Sequence, residues 1–313
     1  MESLTKNKFA TLVRREYIEN RNGFLRIPLI LAGLLLFFSF MAVVVGVGQI
    51  PYDQIFDGKV SSLSELIDAG EAKLESEMAE EGRSEEEVEA TIDAGITIMY
   101  WALSSFAGLA MPFVIFFALL GALYEERRDK SVLFWKSMPV SDWLTVASKL
   151  TAGLVLAPAL YLGFVMIAHL LLVTVSSLAA IGQEIDVWNT LWVPANLIGR
   201  WLTFIGLYGF TLLWCLPFFA WLLLVSSWAK SAPLAWAVGI PVTVVLVEGM
   251  LINTSFVNDF IRHHTFSFEF WHQASGVLED FELWFAMEMF LSLVVGMAFV
   301  YGAVWFRGKA DEM

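Results

Sequence analysis

Apolar residues along this 313-residue chain fall in long unbroken runs rather than in short alternations. Six runs, about 25–49, 96–124, 143–180, 198–228, 232–254 and 283–306, are long enough to cross a bilayer. A spanning helix needs roughly 20 mainly apolar residues, each rising about 1.5 Å. The third and fourth runs exceed that, so tilt or breaks are expected in them, with Pro158 and Pro217 as the kink points. Proline removes one helix donor and its ring clashes with the preceding turn. The polar intervals carry helical patterns as well. Leu63, Leu66, Ile67, Leu74 and Met78 predict an amphipathic helix over about 61–80. After Gly82, Ser84 with Glu87 three residues on is a capping box that starts a second helix toward the next apolar run.

Composition agrees with lipid as the solvent. The chain is 58% hydrophobic and 16% charged, where a soluble domain has about 45–50% apolar and about 25% charged residues. Such an excess cannot be hidden in a water-soluble core of this size. The expected fold is an all-α membrane protein with a single transmembrane domain over 25–313, preceded by a polar segment, 1–24. The first apolar run is too long for a signal-peptide core and is expected to be retained as an anchor. The single cysteine, Cys215, lies between Trp214 and Leu216 and reads as a small core hydrophobe rather than a nucleophile.

Charge then sets an expected orientation. Of the 19 Lys and Arg, 14 fall on one side of the six spans and five on the other (Lys59, Lys73, Arg83, Arg200, Arg262). The positive-inside rule counts those residues and largely ignores acids, so both ends are expected in the cytoplasm. The net charge of −13 has a local origin: Asp53 to Asp93 carries 14 acidic and three basic residues. This external insertion, 50–95, reads either as a helical hairpin with solvated acids or as a cation funnel or partner-docking surface. It lacks the aspartate spacing of a calcium loop.

Ionisable groups at membrane depth are costly and are candidates for function. They are His169 in the third run, Glu248 late in the fifth and Glu288 in the sixth. Two readings stand for the acids: pairing at the interface with Arg200, Arg262 or a tyrosine, or a place on a transport path. No metal site is expected. His169 has no second ligand at helical spacing, and His263, His264 and His272 sit in an aromatic-rich external segment that reads as an interfacial belt. No phosphate-binding Gly-x4-Gly-Lys-Ser/Thr loop, nucleophile elbow or His-Glu-x2-His is present. The chain is therefore expected to be no enzyme, with no catalytic or cofactor-binding residues of its own.

The most specific stretch joins the second and third runs, Tyr124 to Asp142. It mixes both charge signs with Val132, Leu133, Phe134 and Trp135; Pro139 ends any helix there, and Ser141 is placed to cap the next. A cytoplasmic loop of this kind lies at headgroup level or docks on a partner. Its order is Glu126-Arg127, Ser131, Leu133-Phe134, Ser137-Met138-Pro139-Val140-Ser141 and then Lys149. That order resembles the first cytoplasmic loop of the ABC-2 permeases, the membrane subunits of type-2 ABC exporters. The layout of nearly the whole chain is similar to theirs. The charged amphipathic stretch 4–22, with Leu4, Phe9, Leu12, Val13, Tyr17 and Ile18, looks like the family's interfacial connecting helix. A polar, aromatic-rich segment, about 255–282, precedes the last span.

The resemblance implies a permease of the cell (inner) membrane that forms the transmembrane pathway of an ATP-driven exporter. ATP and magnesium would then sit on a separate ATPase subunit. A coupling helix within Glu126–Ser141 would dock on that ATPase, with Leu133, Phe134 and Trp135 as anchors and Arg127 and Arg128 as a polar rim; Glu126, Pro139 and Ser141 count among the coupling residues too. A second permease subunit, identical or a related paralogue, would complete the transporter. The remaining partners are membrane lipids, and no nucleic acid is expected. Two other readings stand beside it. A secondary transporter would carry inverted repeats around midplane charges, and no convincing repeat is present. The other is a polytopic membrane protein outside the ABC class.

Overall fold

The computed structural model describes residues 2–34, 37, 100, 104, 108–179, 186–265 and 283–310. The acidic insertion, the second half of the first predicted span and His272 lie outside the described residues. Among the described residues there is helix and no strand. The elements are α1 (Glu2–Glu19), α2 (Asn22–Leu34), α3 (Gly108–Arg128), α4 (Ser131–Ser137), α5 (Asp142–Leu178), α6 (Leu197–Trp214), α7 (Leu216–Trp228), α8 (Pro233–Ile252), α9 (Phe256–His264) and α10 (Leu283–Gly308). Five segments are long and apolar enough to cross a bilayer: α3, α5, Val193–Trp214, α8 and Ala286–Gly308. The chain is a multi-pass α-helical membrane protein.

The described residues group into two compact units. Unit 1 comprises Met1–Leu25, Ala110–Leu160 and Phe204–Met313; unit 2 comprises Arg26–Leu109 and Tyr161–Thr203. In unit 1 the core is built from Leu123, Val146, Ala220, Leu223, Val300 and Ala303. It lies where α3, α5, α7 and α10 meet, and α7 runs against α10 along most of its length. In unit 2 the corresponding cluster is Tyr100, Val173, Ala195 and Leu197. Only 11% of the α8 span is buried, against 28–33% of the other four. Its side chains are apolar almost all round, as lipid-facing positions require.

Local chemistry explains the breaks. The run predicted as one span over 198–228 is two helices, interrupted at Cys215, two residues before Pro217. A proline leaves the carbonyl four residues earlier without its helical donor, and in lipid that acceptor must find another. Three prolines of unit 1 meet this need in one way. Tyr208 donates to Leu154 O, ahead of Pro158, at 3.0 Å. The Ser292 hydroxyl lies 2.9 Å from Leu213 O, ahead of Pro217. Trp221 Nε1 donates to Ala237 O, ahead of Pro241, at 3.0 Å. Each carbonyl that a proline leaves without its helical donor is thus met by a side chain from another helix.

Candidate functional site

The stretch Tyr124–Asp142 folds as two short helical pieces joined by a tight turn. Lys130 adopts a left-handed conformation (φ 61°) between α3 and α4, and Asp129 Oδ1 accepts from Ser131 N at 3.1 Å to brace that turn. Met138 is extended after α4. Ser141 then caps α5, its Oγ accepting from Leu144 N at 3.3 Å, as the sequence predicts. Leu133 and Phe134 point away from the protein, each 57% exposed, while Val132 on the same helix is buried and anchors it. Trp135 lies beneath Arg15, whose Cζ is 4.0 Å from the ring centroid.

Behind this helix lies a cluster of charges drawn from four segments. Glu126 of α3 receives Arg307 of α10 on Oε2 at 2.6 Å and Lys149 of α5 on Oε1 at 2.9 Å. Arg15 of α1 also donates to Glu126 Oε1. Lys149 Nζ donates to Glu16 Oε1 of α1 at 2.9 Å, and Arg15 Nη2 lies 3.1 Å from the same oxygen. Arg307 Nε lies 3.1 Å from Asp142 Oδ1. Three cations face three anions, and Lys149, Glu16, Glu126 and Arg307 are almost fully buried. Burial is the largest single influence on Arg15 and lowers its pKa, but Glu16 and Glu126 together outweigh it and raise it, so its charge is secure. Burial dominates at Glu16 and lifts its carboxyl above the ordinary value, against the pull of Lys149 and Arg15.

The other residues of the loop have separate positions. Pro139 O accepts from Lys8 Nζ at 3.0 Å, which ties α1 to the loop. Arg128 is exposed, its guanidinium 5.8 Å from the Tyr124 ring. Arg127 turns into the protein and donates to Ser226 O and Ala229 O at 2.7 and 2.9 Å.

The three membrane-depth candidates have different surroundings. His169 belongs to unit 2, where it is buried with Ser104 Oγ 3.1 Å from its Nε2 and the Tyr100 ring edge-on at 4.9 Å. Glu248 and Glu288 belong to unit 1. Glu248 accepts from Thr254 Oγ1 at 3.0 Å, Val257 N at 3.0 Å and Asn258 N at 3.3 Å, so its carboxylate sits on the N-terminal amides of α9. Glu288 Oε1 lies 3.4 Å from His263 Nδ1. His264 stacks between Phe260 (4.2 Å) and Trp214 (5.0 Å). Among the described residues no group of three or more His, Cys, Asp or Glu side chains is arranged to hold a metal.

Sequence reasoning passes over Arg15, Glu16, Asp142, Arg307 and Ser226. A signal for the first two was present, since adjacent opposite charges interrupt the apolar side of an amphipathic helix. For Arg307 and Ser226 there was none: an arginine ending a span and a serine within one are ordinary. No protein-family model, curated protein or solved structure matches the chain.

Proposed function

We propose that the chain is the permease subunit of an ATP-driven exporter of the ABC-2 type. It forms the transmembrane pathway and takes its energy from a separate ATPase that docks on α4 from the cytoplasm. One observation carries the reading. Helix α4 holds Leu133 and Phe134 out to solvent on a base of buried charges shared by α1, α3, α5 and α10. Adjacent exposed apolar side chains on a polar surface mark a contact site, and a rigid base lets force applied there reach several spans together. The order Glu126-Arg127 to Ser141 and Lys149, and the basic residues gathered on the same side of the spans, support the same reading. ATP and magnesium belong to the partner. Two ATPases and two permease subunits make the working unit, because ATP sites form between paired ATPases. Rigid-body switching of the helices then alternates access across the membrane.

The test is co-purification of an ATPase with this chain from its native membrane. Replacing Leu133 and Phe134 together by Glu is expected to release the ATPase while membrane insertion and yield stay unchanged. Recovery of the ATPase with the double variant at the wild-type level overturns the reading.

A further inference from the structure

Arg127 and Ser226 join two helix ends reciprocally. The Ser226 hydroxyl accepts from the amides of Leu123 and Tyr124 at 2.9 and 3.0 Å, where α3 turns and resumes as Tyr124–Arg128. At the other end of that five-residue segment, Arg127 Nη2 donates to Ser226 O in the last turn of α7 and to Ala229 O just after it. These amides and carbonyls are of the kind that helix ends leave without intrahelical partners. Ser226 is completely buried, so water does not compete for the contact.

Helix α7 is joined to α10 along its length. A Cβ on Gly296 would stand 2.7 Å from Leu216 Cγ, and one on Gly302 would stand 3.0 Å from Leu224 Cδ1. At Gly296 the backbone carbon of Leu216 would also stand 3.3 Å from that Cβ, so α7 and α10 meet closely there, while at Gly302 the neighbour is the end of the Leu224 side chain. Ser292 of α10 adds its hydroxyl at 2.9 Å from Leu213 O and Trp214 O, at the end of α6. The helix of this span is interrupted at Cys215, two residues before Pro217, which supplies no backbone donor.

We infer that Arg127 and Ser226 are positioning residues that carry displacement of α4 into the α7–α10 pair, bending the span at Cys215–Pro217. This rests on the reading of α4 as the ATPase docking helix. It names the route by which docking reaches the membrane. Contiguity alone does not establish such a route; a change at the far end that depends on the joint does.

The experiment is hydrogen exchange on the full chain in lipid nanodiscs, alone and with the co-purifying ATPase, ATP and orthovanadate. In the wild type, protection is expected at 131–137, where the partner sits, together with altered exchange at 211–217. In Ser226→Ala and in Arg127→Gln, the protection at 131–137 is expected to persist and the change at 211–217 to be lost. Arg127→Lys, which retains one donor, is expected to keep part of it. A change at 211–217 that persists undiminished in Ser226→Ala, or that never arises in the wild type, overturns the inference and leaves the docking reading standing. Absence of protection at 131–137 in the wild type overturns both. Should Arg127→Gln fail to fold, Ser226→Ala, which removes a single oxygen, decides alone.

Discussion

Glu126 and Glu248 are both buried glutamates of unit 1, and they are satisfied in opposite ways. Glu126 is held by cations 111 residues before it and 181 residues after it in the chain, besides Lys149. Glu248 is held by a hydroxyl and two amides within ten residues of itself. The first arrangement exists only when α1, α3, α5 and α10 are all in place, so it reports on the whole of that end of the unit. The second closes one turn and fixes the start of one helix. Burial alone therefore does not tell a fold-wide anchor from a local cap. The origin of the partners does.

The comparison breaks first at Glu126. Replacing it by Gln leaves Arg307, Arg15 and Lys149 short of an anion, and removing one partner of a buried ionic group costs about 3–5 kcal/mol. Thermal unfolding in detergent is expected to fall accordingly, and Glu126→Gln combined with Lys149→Met is expected to cost less than the two single losses added. An unchanged midpoint for Glu126→Gln would show that the cluster is not an anchor. Tyr208→Phe separates reach from charge, since its bond to Leu154 O is long-range but neutral. A loss of about 1 kcal/mol is expected, the ordinary net value of such a bond, again read as the unfolding midpoint. A loss as large as that of Glu126→Gln would make sequence separation, and not charge, the governing variable.

Glu248→Gln tests the local side. The unfolding midpoint is expected to move little, while the amides of Val257 and Asn258 exchange faster, as hydrogen exchange resolved by residue would show. The smallest effect is at the opposite end of α9. Burial between Phe260 and Trp214 lowers the pKa of His264, so the folded protein holds it neutral. As pH falls below about 6.5 the unfolded chain takes up this proton first, and the stability due to the neutral ring, complete above that value, is lost toward the lower folded pKa. Exchange over 260–265, corrected for its intrinsic pH dependence, is expected to quicken between about pH 7 and about pH 5. In His264→Gln this added pH dependence is expected to vanish; its survival there would assign it to another group.

Much of the architecture was legible beforehand because it depends on short-range physics. Run length against bilayer thickness locates α3, α5, α8 and α10. Ser141 caps α5 where the Pro139–Ser141 turn requires a cap, and the long fourth run breaks beside Pro217. The same reasoning places Leu133 and Phe134 together on a short helix. It could not foresee that Arg127, expected beside Arg128 at the rim, would turn inward onto α7. Nor could it show that Glu248 would cap α9 while His169 falls in a different unit from both membrane-depth acids.

What the sequence by itself determined is the solvent the chain requires, the stretches that become helix and the residues at which those helices start, kink or stop. Each of these follows from apolar run length or from a hydrogen-bonding group within a few residues. Only the tertiary structure decided which charge meets which. Glu126 had four basic residues within its own loop and span, yet its partners Arg15, Lys149 and Arg307 come from α1, α5 and α10. Packing brings those helix ends within hydrogen-bond reach, and a cation's affinity for a carboxylate does not record its distance along the chain.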